Sequence, residues 1–267
     1  MDDITKIIQS YYDAQPETEW ERIENRPEFL LTCRFLDRYL KPGNRVLDIG
    51  GGPGRYALHF AAKGCDVTLF DLSEENTRFA TARAREQGLS LQTVCGDARH
   101  TDSLVDGAFD HVLLMGPLYH IQEEPGRIQA VNAALRTLKP GGTLSVSFIN
   151  MFAGIIFAMK DQPDIVLDPV EQAFYQAFIE GRSFAGPAFT EAYFARQEEI
   201  LPFMAQFPLH KLHFFGQEGI LSPCEPNIMG QPQKVIDEWL NLGERLCERE
   251  DLLSWAEHLM YIGRKTG

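Results

Sequence analysis

A glycine-rich turn directly after a short apolar run restricts the possible folds of this chain more than any other feature. Residues 46–54 read Val-Leu-Asp-Ile-Gly-Gly-Gly-Pro-Gly, and a helical pattern follows. Glycine adopts positive φ without a steric penalty and lets a ligand approach the main chain, while the start of a helix offers free N–H groups. The segment predicts a strand, a tight turn and a helix that together bind a small molecule. A tight structural connection is the alternative reading of the turn alone.

From about residue 45 to residue 150, short apolar runs alternate with amphipathic segments. This pattern is typical of βαβ units that build a parallel sheet. The predicted strands are Arg45–Ile49, Asp66–Phe70, Leu91–Cys95, Phe109–Met115 and Thr143–Ile149. The predicted crossover helices are Arg55–Lys63, Glu74–Gln87 and Pro125–Leu138, each of which a glycine follows.

The flanks of this core follow different patterns. Residues 3–41 predict helices that Pro16 and Pro27 divide, and residues 151–208 predict helices rich in aromatic residues and broken at prolines. A strand at Lys211–Gly216, a helix at Gln233–Glu248 and an apolar stretch at Leu259–Gly263 are expected after them. The predicted regions are an N-terminal helical arm (1–44), a core (45–150), a helical cap (151–208) and a C-terminal completion of the sheet (209–267).

Charge, cysteine content and hydropathy exclude several classes of function. The 25 Lys and Arg residues against 38 Asp and Glu residues give a net charge of −13, which argues against a nucleic-acid partner. Five scattered cysteines without a C-x-x-C spacing suggest neither disulfides nor a zinc site, and no metal is expected. The start of the chain lacks signal-peptide features, and the longest apolar run, Phe152–Met159, is too short to span a bilayer. We therefore expect a cytoplasmic location without membrane association.

Asp71 closes the second predicted strand about 20 residues after the glycine turn. Doubly wound folds place an acid here to accept hydrogen bonds from ribose hydroxyls. Asp71 also suits the turn before the next helix, although Ser73, with Glu74 and Glu75 in the first turn, already provides a helix cap. We therefore favour a ribose contact for Asp71.

Another acid, Asp97, follows the third predicted strand. The carboxyl ends of parallel strands meet at the edge where open α/β sheets bind ligands. Asp48, Asp71 and Asp97 are therefore expected to face one crevice, whereas three unrelated turn acids would be the simpler alternative.

In these segments the sequence resembles class I S-adenosylmethionine-dependent methyltransferases, of the small-molecule type related to ubiquinone-biosynthesis methyltransferases. Asp48-x-Gly50-x-Gly52-x-Gly54 is similar to the family's first motif, which holds the methionine part of the cofactor. Asp71 matches the acid for the ribose, and Asp97 with Ala98 matches the pair that reads adenine. Leu138-Lys-Pro-Gly-Gly142 resembles the turn into the fifth strand. The implied cofactor-binding residues are Asp48, Gly50, Gly52, Gly54, Asp71, Leu72, Asp97, Ala98, Met115 and Gly116.

The resemblance implies an α/β fold, doubly wound and Rossmann-like, with a mostly parallel seven-stranded sheet that ends in an antiparallel strand pair. It implies an enzyme that uses S-adenosylmethionine, releases S-adenosylhomocysteine and methylates a small-molecule acceptor by in-line transfer. Aromatic residues of the cap region would line a pocket for an apolar or aromatic acceptor, or would simply form the core of an added helical layer.

The segment Met115–His120 follows the fourth predicted strand, next to the expected crevice. His120 has a side chain whose ordinary pKa lies near neutrality, so it is a candidate general base, and Tyr119 is a candidate to orient or cover the sulfonium. The alternative is a helix-entry loop in which Tyr119 packs and His120 is solvated. In the arm, Tyr11, Tyr12, Trp20, Arg22 and Arg26 either close the site against water or pack against the sheet.

Three other functions stay open at this point. Gly52-x-Gly54-x-x-Ala57 with Asp71 downstream also satisfies a loose dinucleotide fingerprint, which would indicate an NAD(P)-dependent oxidoreductase. That reading does not account for Asp48, Asp97 or the Lys-Pro-Gly-Gly turn. A non-catalytic cofactor-binding or partner-binding protein of the same fold, and a methyltransferase with a protein acceptor, are the remaining alternatives.

Overall fold

The apolar runs form the strands of one sheet in the computed structural model, which describes residues 2–267. Val46, Leu47 and Ile49 are fully buried because helices cover both faces of the sheet, as in parallel sheets generally. The strands are β1 (Arg45–Ile49), β2 (Asp66–Asp71), β3 (Gln92–Cys95), β4 (Phe109–Leu114), β5 (Leu138–Asn150), β6 (Phe184–Pro187), β7 (Glu191–Ala195), β8 (Leu209–Gly216) and β9 (His258–Lys265).

The strand order places the reversal point of the sheet between β1 and β4. Strands β3, β2, β1, β4 and β5 are parallel neighbours in that order. Strand β9 runs antiparallel beside β5, and β8 runs antiparallel beside β9. This path of seven strands confirms the predicted doubly wound sheet with its antiparallel end, and it places a ligand crevice at the carboxyl ends of β1 and β4.

Helices occupy both faces and both flanks of the sheet. The three predicted crossover helices are confirmed to within one residue at each end; a glycine follows the C-cap of the first two, whereas the third passes directly into the next strand at Leu138. The helices are α1 (Asp3–Asp13), α2 (Pro16–Arg22), α3 (Pro27–Leu36), α4 (Arg55–Ala62), α5 (Glu74–Glu86), α6 (Thr101–Leu104), α7 (Glu124–Thr137), α8 (Phe152–Asp161), α9 (Gln172–Ile179), α10 (Gln197–Met204), α11 (Glu225–Met229) and α12 (Gln233–Leu246). None of these described helices has the length and apolar character needed to cross a membrane.

The expectation that residues 151–208 are wholly helical is wrong. Strands β6 and β7 form an antiparallel hairpin, and β7 continues the sheet beside the end of β5, where Ile149 pairs with Phe194. Aromatic residues fit a pleated, half-buried surface, and Pro187 is tolerated because it ends an edge strand. The irregular spacing of the aromatic residues between prolines therefore did not indicate the hairpin in the sequence.

Aromatic residues of this cap region form a core of their own. The ring of Phe174 lies 5.4 Å from that of Phe184 and 5.1 Å from that of Phe194, measured between centroids. Ile149 and Met151, at the end of β5, pack in the same cluster. The cap aromatics therefore attach the hairpin and α9 to the sheet.

Candidate functional site

A cavity opens at the carboxyl ends of β1, β2, β3 and β4, where the strand order reverses. Its empty space is about 1160 Å³ when counted out to the open mouth. The described part of the arm, residues 2–44, closes one side, because Thr5, Ile8 and Tyr12 of α1 contribute to the wall. Ligand pockets commonly occupy this position in doubly wound sheets.

The glycine turn forms the floor of the cavity next to β1. Gly50 has φ +76° and Gly52 has φ +52°, a left-handed conformation that favours glycine. A Cβ on Gly50 would lie 2.3 Å from Cδ of Pro117, so no larger residue fits without moving the loop after β4. The amide of Gly50 is held by the carbonyl of Phe70 at 2.7 Å. The turn is thus fixed between β2 and the segment that follows β4.

Asp48 lies beneath this turn with an unsatisfied carboxylate. The residue is 0% exposed, and neither carboxylate oxygen has a hydrogen-bond partner among the described residues. Gly51 makes this position possible, since a Cβ there would lie 2.8 Å from Oδ2 of Asp48. Burial, together with the charge of Asp71, raises the pKa of Asp48 to about 7; the nearby amide of Ala57 opposes this rise but lies outside normal hydrogen-bond geometry. A buried carboxylate without donors is expected where a ligand supplies them.

Asp71 connects the glycine turn to the start of α5. Its Oδ2 accepts a hydrogen bond from the amide of Gly52 at 2.8 Å, and its Oδ1 accepts one from the amide of Ser73 at 2.9 Å. Ser73 in turn caps α5 by accepting from the amide of Asn76. Burial raises the pKa of Asp71. The acid therefore has a structural role as well as a place on the cavity wall.

Asp97 lies on the wall in an ion pair with Arg99. The Nε atom of Arg99 is 3.0 Å from Oδ1 of Asp97, and Arg99 also donates to Thr5 in the arm. Burial raises the pKa of Asp97, but the bonds from Arg99 outweigh burial and lower it. Ala98, which is 8% exposed, lines the cavity beside it.

The other residues predicted to bind a cofactor divide into two groups. Leu72, Met115 and Gly116 lie on the wall. Gly54 lies behind it, where it caps α4 with φ +92°. A Cβ on Gly54 would lie 2.9 Å from Cβ of Ala80, so this glycine allows α4 and α5 to approach each other.

His120 connects the arm to the cap hairpin. Its Nε2 lies 2.7 Å from the hydroxyl of Tyr12, and its Nδ1 lies 3.1 Å from the carbonyl oxygen of Glu191. Because a carbonyl can only accept, Nδ1 carries the proton and Nε2 accepts from Tyr12 in the neutral ring. Burial lowers the pKa of His120 to about 4. Both ring nitrogens of a neutral His120 are therefore occupied.

The other candidate residues of the arm either attach it to the rest of the chain or face the cavity. Arg55 donates from Nε to the carbonyl of Trp20 at 2.7 Å, with its guanidinium 3.6 Å from the Trp20 ring centroid. Tyr11 packs against Phe189 of the cap. Arg26 pairs with Glu225 at 3.3 Å. These contacts attach the arm to the rest of the chain, whereas Tyr12 and Arg22 face the cavity.

An ionic cluster, defined as Glu19, Arg22, Glu28, Glu218 and His258, lies at the inner end of the cavity, where Glu19, Arg22 and Glu28 form part of the wall and Glu218 and His258 lie behind it. Arg22 lies 3.0 Å from Glu19 and 3.3 Å from Glu28, measured from nitrogen to carboxylate oxygen. Nδ1 of His258 lies 2.6 Å from Oε1 of Glu218. Helices α2 and α3 supply the first three residues; Glu218 lies in the segment after β8, and His258 is the first residue of β9.

The charges of Glu28 and His258 are stabilised by their neighbours, whereas burial outweighs His258 at Glu218 and raises the pKa of that carboxyl. Burial lowers the pKa of His258, but the carboxylates of Glu28 and Glu218 outweigh it and raise the pKa to about 9. Burial raises the pKa of Glu28, but His258 and Arg22 outweigh it and lower that pKa. Ligand atoms of Glu28, Glu218 and His258 come within 4.8 Å of one another, as a metal site would need, yet each carboxylate already pairs with a cation.

Sequence reasoning missed this inner end. Glu19, Glu28, Ser147 and Gln217 line it, although they lie far apart in the sequence and belong to no local motif. The cap region, described in full, contributes no residue to the cavity wall. The chemistry available is thus a ligand cradle of amides and carboxylates at one end and a charged pocket at the other.

Residues 46–142 match a family model described as "Methyltransferase domain". A ubiquinone biosynthesis O-methyltransferase from Chromobacterium violaceum is 32% identical over 121 residues, which are 45% of this chain and 51% of that protein. Another protein of that name, from Cronobacter sakazakii, is 28% identical over 174 residues, 65% of each chain. The chain thus spans about half the length of the first of these curated relatives.

Solved structures share the fold over nearly the whole chain. Magnesium protoporphyrin IX methyltransferase from Synechocystis, with bound S-adenosylhomocysteine, matches with a TM-score of 0.61 and 15% identity, covering 99% of this chain and 100% of that one. The 1,6-didemethyltoxoflavin-N1-methyltransferase of Burkholderia thailandensis matches with a TM-score of 0.58 and 18% identity, covering 99% and 87%. At these identities the likeness concerns the fold.

Proposed function

We propose that this chain, whose residues 46–142 are a methyltransferase domain within a class I methyltransferase fold, transfers a methyl group from S-adenosylmethionine to a small-molecule acceptor. The relatives named above act in ubiquinone biosynthesis as O-methyltransferases, and this chain spans only part of them. These relatives therefore support the cofactor and the reaction type, and not the acceptor.

Asp48 is the observation that carries the proposal. It is fully buried, and no group donates a hydrogen bond to its carboxylate oxygens among the described residues. It lies directly beneath the glycine turn, in which a residue larger than glycine would clash with neighbouring atoms. The methionine part of S-adenosylmethionine has an ammonium group and a carboxylate. An ammonium group supplies the missing donors to Asp48, and peptide amides of the turn suit a carboxylate.

The other wall residues suit a nucleoside. Asp71 keeps lone pairs for ribose hydroxyls although two peptide amides already donate to it. Asp97 and Ala98 also line the cavity and are the residues we assign to adenine. NAD(P) binding would explain the glycine turn and Asp71, but it would give no role to the unpartnered carboxylate of Asp48.

The protein's contribution to methyl transfer is alignment and the exclusion of water. Bound S-adenosylmethionine supplies an electrophilic methyl group. Pro117 and Tyr119, after β4, lie between the glycine turn and the ionic cluster, so they limit where an acceptor can lie. Tyr12 and His120 hold the arm across the opening. Correct alignment and desolvation can lower a barrier by several kcal/mol without a catalytic acid.

Thermal-shift measurements with each cofactor test the proposal. We expect S-adenosylmethionine and S-adenosylhomocysteine at saturating concentration to raise the Tm by about 4–8 °C, since a ligand at 100 times its Kd adds about 2.7 kcal/mol. NAD⁺ and NADPH should leave the Tm unchanged. A shift with a dinucleotide and none with the two sulfur compounds would reverse the assignment.

A further inference from the structure

The carboxylates of the ionic cluster lie in an environment where charge is costly, whereas the side chain of Arg22 is 43% exposed. Glu28 and Glu19 have side chains that are only 14% and 13% exposed, and Glu218 is 3% exposed. Burying charged groups is unfavourable unless other charges or a ligand compensate them, and hydrophobic residues commonly replace such groups without loss of stability. The fold itself therefore does not require this cluster at the end of a cavity.

An unpartnered hydroxyl points to a ligand at the same place. Tyr56 is 7% exposed and lines the cavity, and its hydroxyl makes no hydrogen bond of normal geometry among the described residues, although Thr32 lies close enough to oppose the rise of its pKa. It lies near Glu28, whose charge adds to the effect of burial in raising the pKa of Tyr56. A buried hydroxyl without a partner in a cavity wall is satisfied when a ligand supplies one.

The cluster has one carboxylate more than it has cations. Arg22 is shared between Glu19 and Glu28, and it contacts the Oε2 atom of each. His258 pairs with Glu218. Arg22 therefore balances only one of its two carboxylates, and Oε1 of each is left for another donor. A cation or a strong hydrogen-bond donor is the occupant that balances this excess.

We propose that the inner end of the cavity is the acceptor site and that the acceptor is a small amine, with its nitrogen against the carboxylates of Glu19 and Glu28. This inference rests on the proposed function and adds the acceptor class to it. It replaces the apolar or aromatic acceptor that the aromatic cap region suggested, because no residue of that fully described region lies on the cavity wall.

The electrostatics of the transfer favour an amine here. The lone pair of the neutral amine forms the N–C bond, and the C–S bond breaks with its electron pair remaining on sulfur. Positive charge moves from sulfur to nitrogen, toward Glu19 and Glu28, which lowers the energy of the transition state. An amine that arrives as an ammonium ion first gives one proton to water, and the methylated product keeps its charge or loses a further proton to solvent.

Acceptors that react as anions are disfavoured by the same charges. A phenolate or carboxylate would approach two carboxylates, and a phenol would need a base to remove its proton. The candidate base, His120, has its lone pair engaged by Tyr12. Tyr119 connects the two ends, since its hydroxyl lies 3.7 Å from where a Cβ on Gly116 would be and its ring lies 6.2 Å from that of His258.

The test measures binding and turnover with matched probes. Butylamine, benzylamine, butanoate, benzoate and phenol are titrated by calorimetry into protein saturated with S-adenosylhomocysteine. Each is then incubated with S-adenosylmethionine, and S-adenosylhomocysteine formation is followed. We expect the amines to bind at least tenfold more tightly than the carboxylates and to be the acceptors that turn over.

Charge variants locate the interaction. Glu19→Gln and Glu28→Gln should each weaken amine binding at least tenfold while changing the Kd of S-adenosylhomocysteine less than threefold. Arg22→Gln should strengthen amine binding, since it removes a competing cation. Glu21→Gln, at an exposed position of the same helix, α2, is the matched control and should change neither affinity. A Tm within a few degrees of wild type shows that each variant folds.

The possible results separate this inference from the proposed function. If S-adenosylhomocysteine binds but the carboxylates or phenol bind and turn over in preference to amines, the amine assignment is overturned and the methyltransferase proposal stands. Equal amine affinity of the folded Glu28→Gln and wild-type proteins, or no amine binding at all, overturns it as well. Failure to bind S-adenosylhomocysteine overturns the proposed function itself.

Discussion

The two ends of the cavity recognise ligands by different means. The end at the glycine turn uses main-chain amides, positive φ angles and acids at the ends of neighbouring parallel strands. The inner end uses long charged side chains from α2, α3 and the β8–β9 pair. At the glycine turn, main-chain geometry determines which ligand binds, so few substitutions are tolerated there. Side-chain charge at the inner end can change without changing the backbone, so acceptor preference can vary while cofactor recognition is kept.

The difference extends to stability. At the turn end, Asp48 and Asp71 are both buried and both have raised pKa values, so the free protein holds repelling acids there. At the inner end, the pKa values of Glu28 and His258 move in the directions that favour charged pairs. The turn end therefore holds acids without compensating charge until a ligand with donors binds, whereas most charges of the inner end are already paired and one carboxylate is in excess.

The largest expected effect comes from a side chain in the turn. Gly50→Ala places Cβ 2.3 Å from Pro117 and 2.9 Å from the carbonyl oxygen of Met115. We expect a loss of about 1–3 kcal/mol from overpacking, in addition to about 1–2 kcal/mol for the left-handed conformation, and loss of measurable cofactor binding. Urea unfolding and calorimetry with S-adenosylhomocysteine measure the two effects.

Gly141→Ala is the control for this variant. Gly141 also has a positive φ, +77°, but a Cβ there would meet no atom within 4 Å. It should show the conformational cost alone and normal cofactor affinity. If both variants lost the same free energy of unfolding, a Cβ at position 50 would make no unfavourable contact with Pro117 or Met115.

A somewhat smaller effect is expected from Asp71→Ala. Removal of the carboxylate takes away the acceptor for the amide of Gly52 and the proposed ribose contact, so the Kd of S-adenosylmethionine should rise at least tenfold. Asp66→Ala, at the exposed start of the same strand, should leave the Kd unchanged. An unchanged Kd in Asp71→Ala would remove the ribose assignment.

Asp48→Asn should separate stability from binding. Because the folded pKa of Asp48, about 7, lies above its ordinary value, the free protein loses stability as the pH rises from about 4 through 7. The Asn variant lacks that loss, so between pH 5 and pH 8 it should gain roughly 1–3 kcal/mol relative to wild type. Its affinity for S-adenosylmethionine should fall. Parallel pH dependence of urea unfolding in the two proteins would contradict the raised pKa.

The smallest effect is expected from the link between the arm and the cap. His120→Ala should lower kcat by roughly three- to tenfold with little change in cofactor affinity, because it releases Tyr12 rather than removing a base. Tyr12→Phe should have a similar effect. Because the pKa of His120 is about 4, its ring is neutral between pH 6 and pH 8. The rate should therefore depend on pH in the same way in wild type, His120→Ala and Tyr12→Phe over this range. An inflection near pH 6.5 that disappears only in His120→Ala would restore His120 as a general base.

The predictability of the two ends from sequence differs for a physical reason. Asp48, Gly50 and Asp71 lie in or next to short strands, where a fixed topology brings them together whatever the rest of the chain does. Glu19 and Glu28 lie in the arm, more than 200 residues before His258, and their proximity to it depends on how the arm packs against β8 and β9. The β6–β7 hairpin could not be predicted for the same reason, because its pairing with β5 is a tertiary contact.

His120 shows a further limit. Its position after β4 was predictable, and so was its place on the cavity wall. Its partners, Tyr12 and the carbonyl of Glu191, come from the arm and the hairpin. Sequence position indicated a titratable group beside the crevice, but only the assembled contacts define its tautomer and protonation.

Calorimetric titration of ligand-stripped protein with S-adenosylhomocysteine tests most directly whether the strand ends hold this nucleoside. We predict one binding event per chain with a Kd in the micromolar range, about −8 kcal/mol, and a Kd at least tenfold higher in Asp71→Ala under the same conditions. Absence of heat from folded wild-type protein, at concentrations where a micromolar Kd would be evident, would contradict the account.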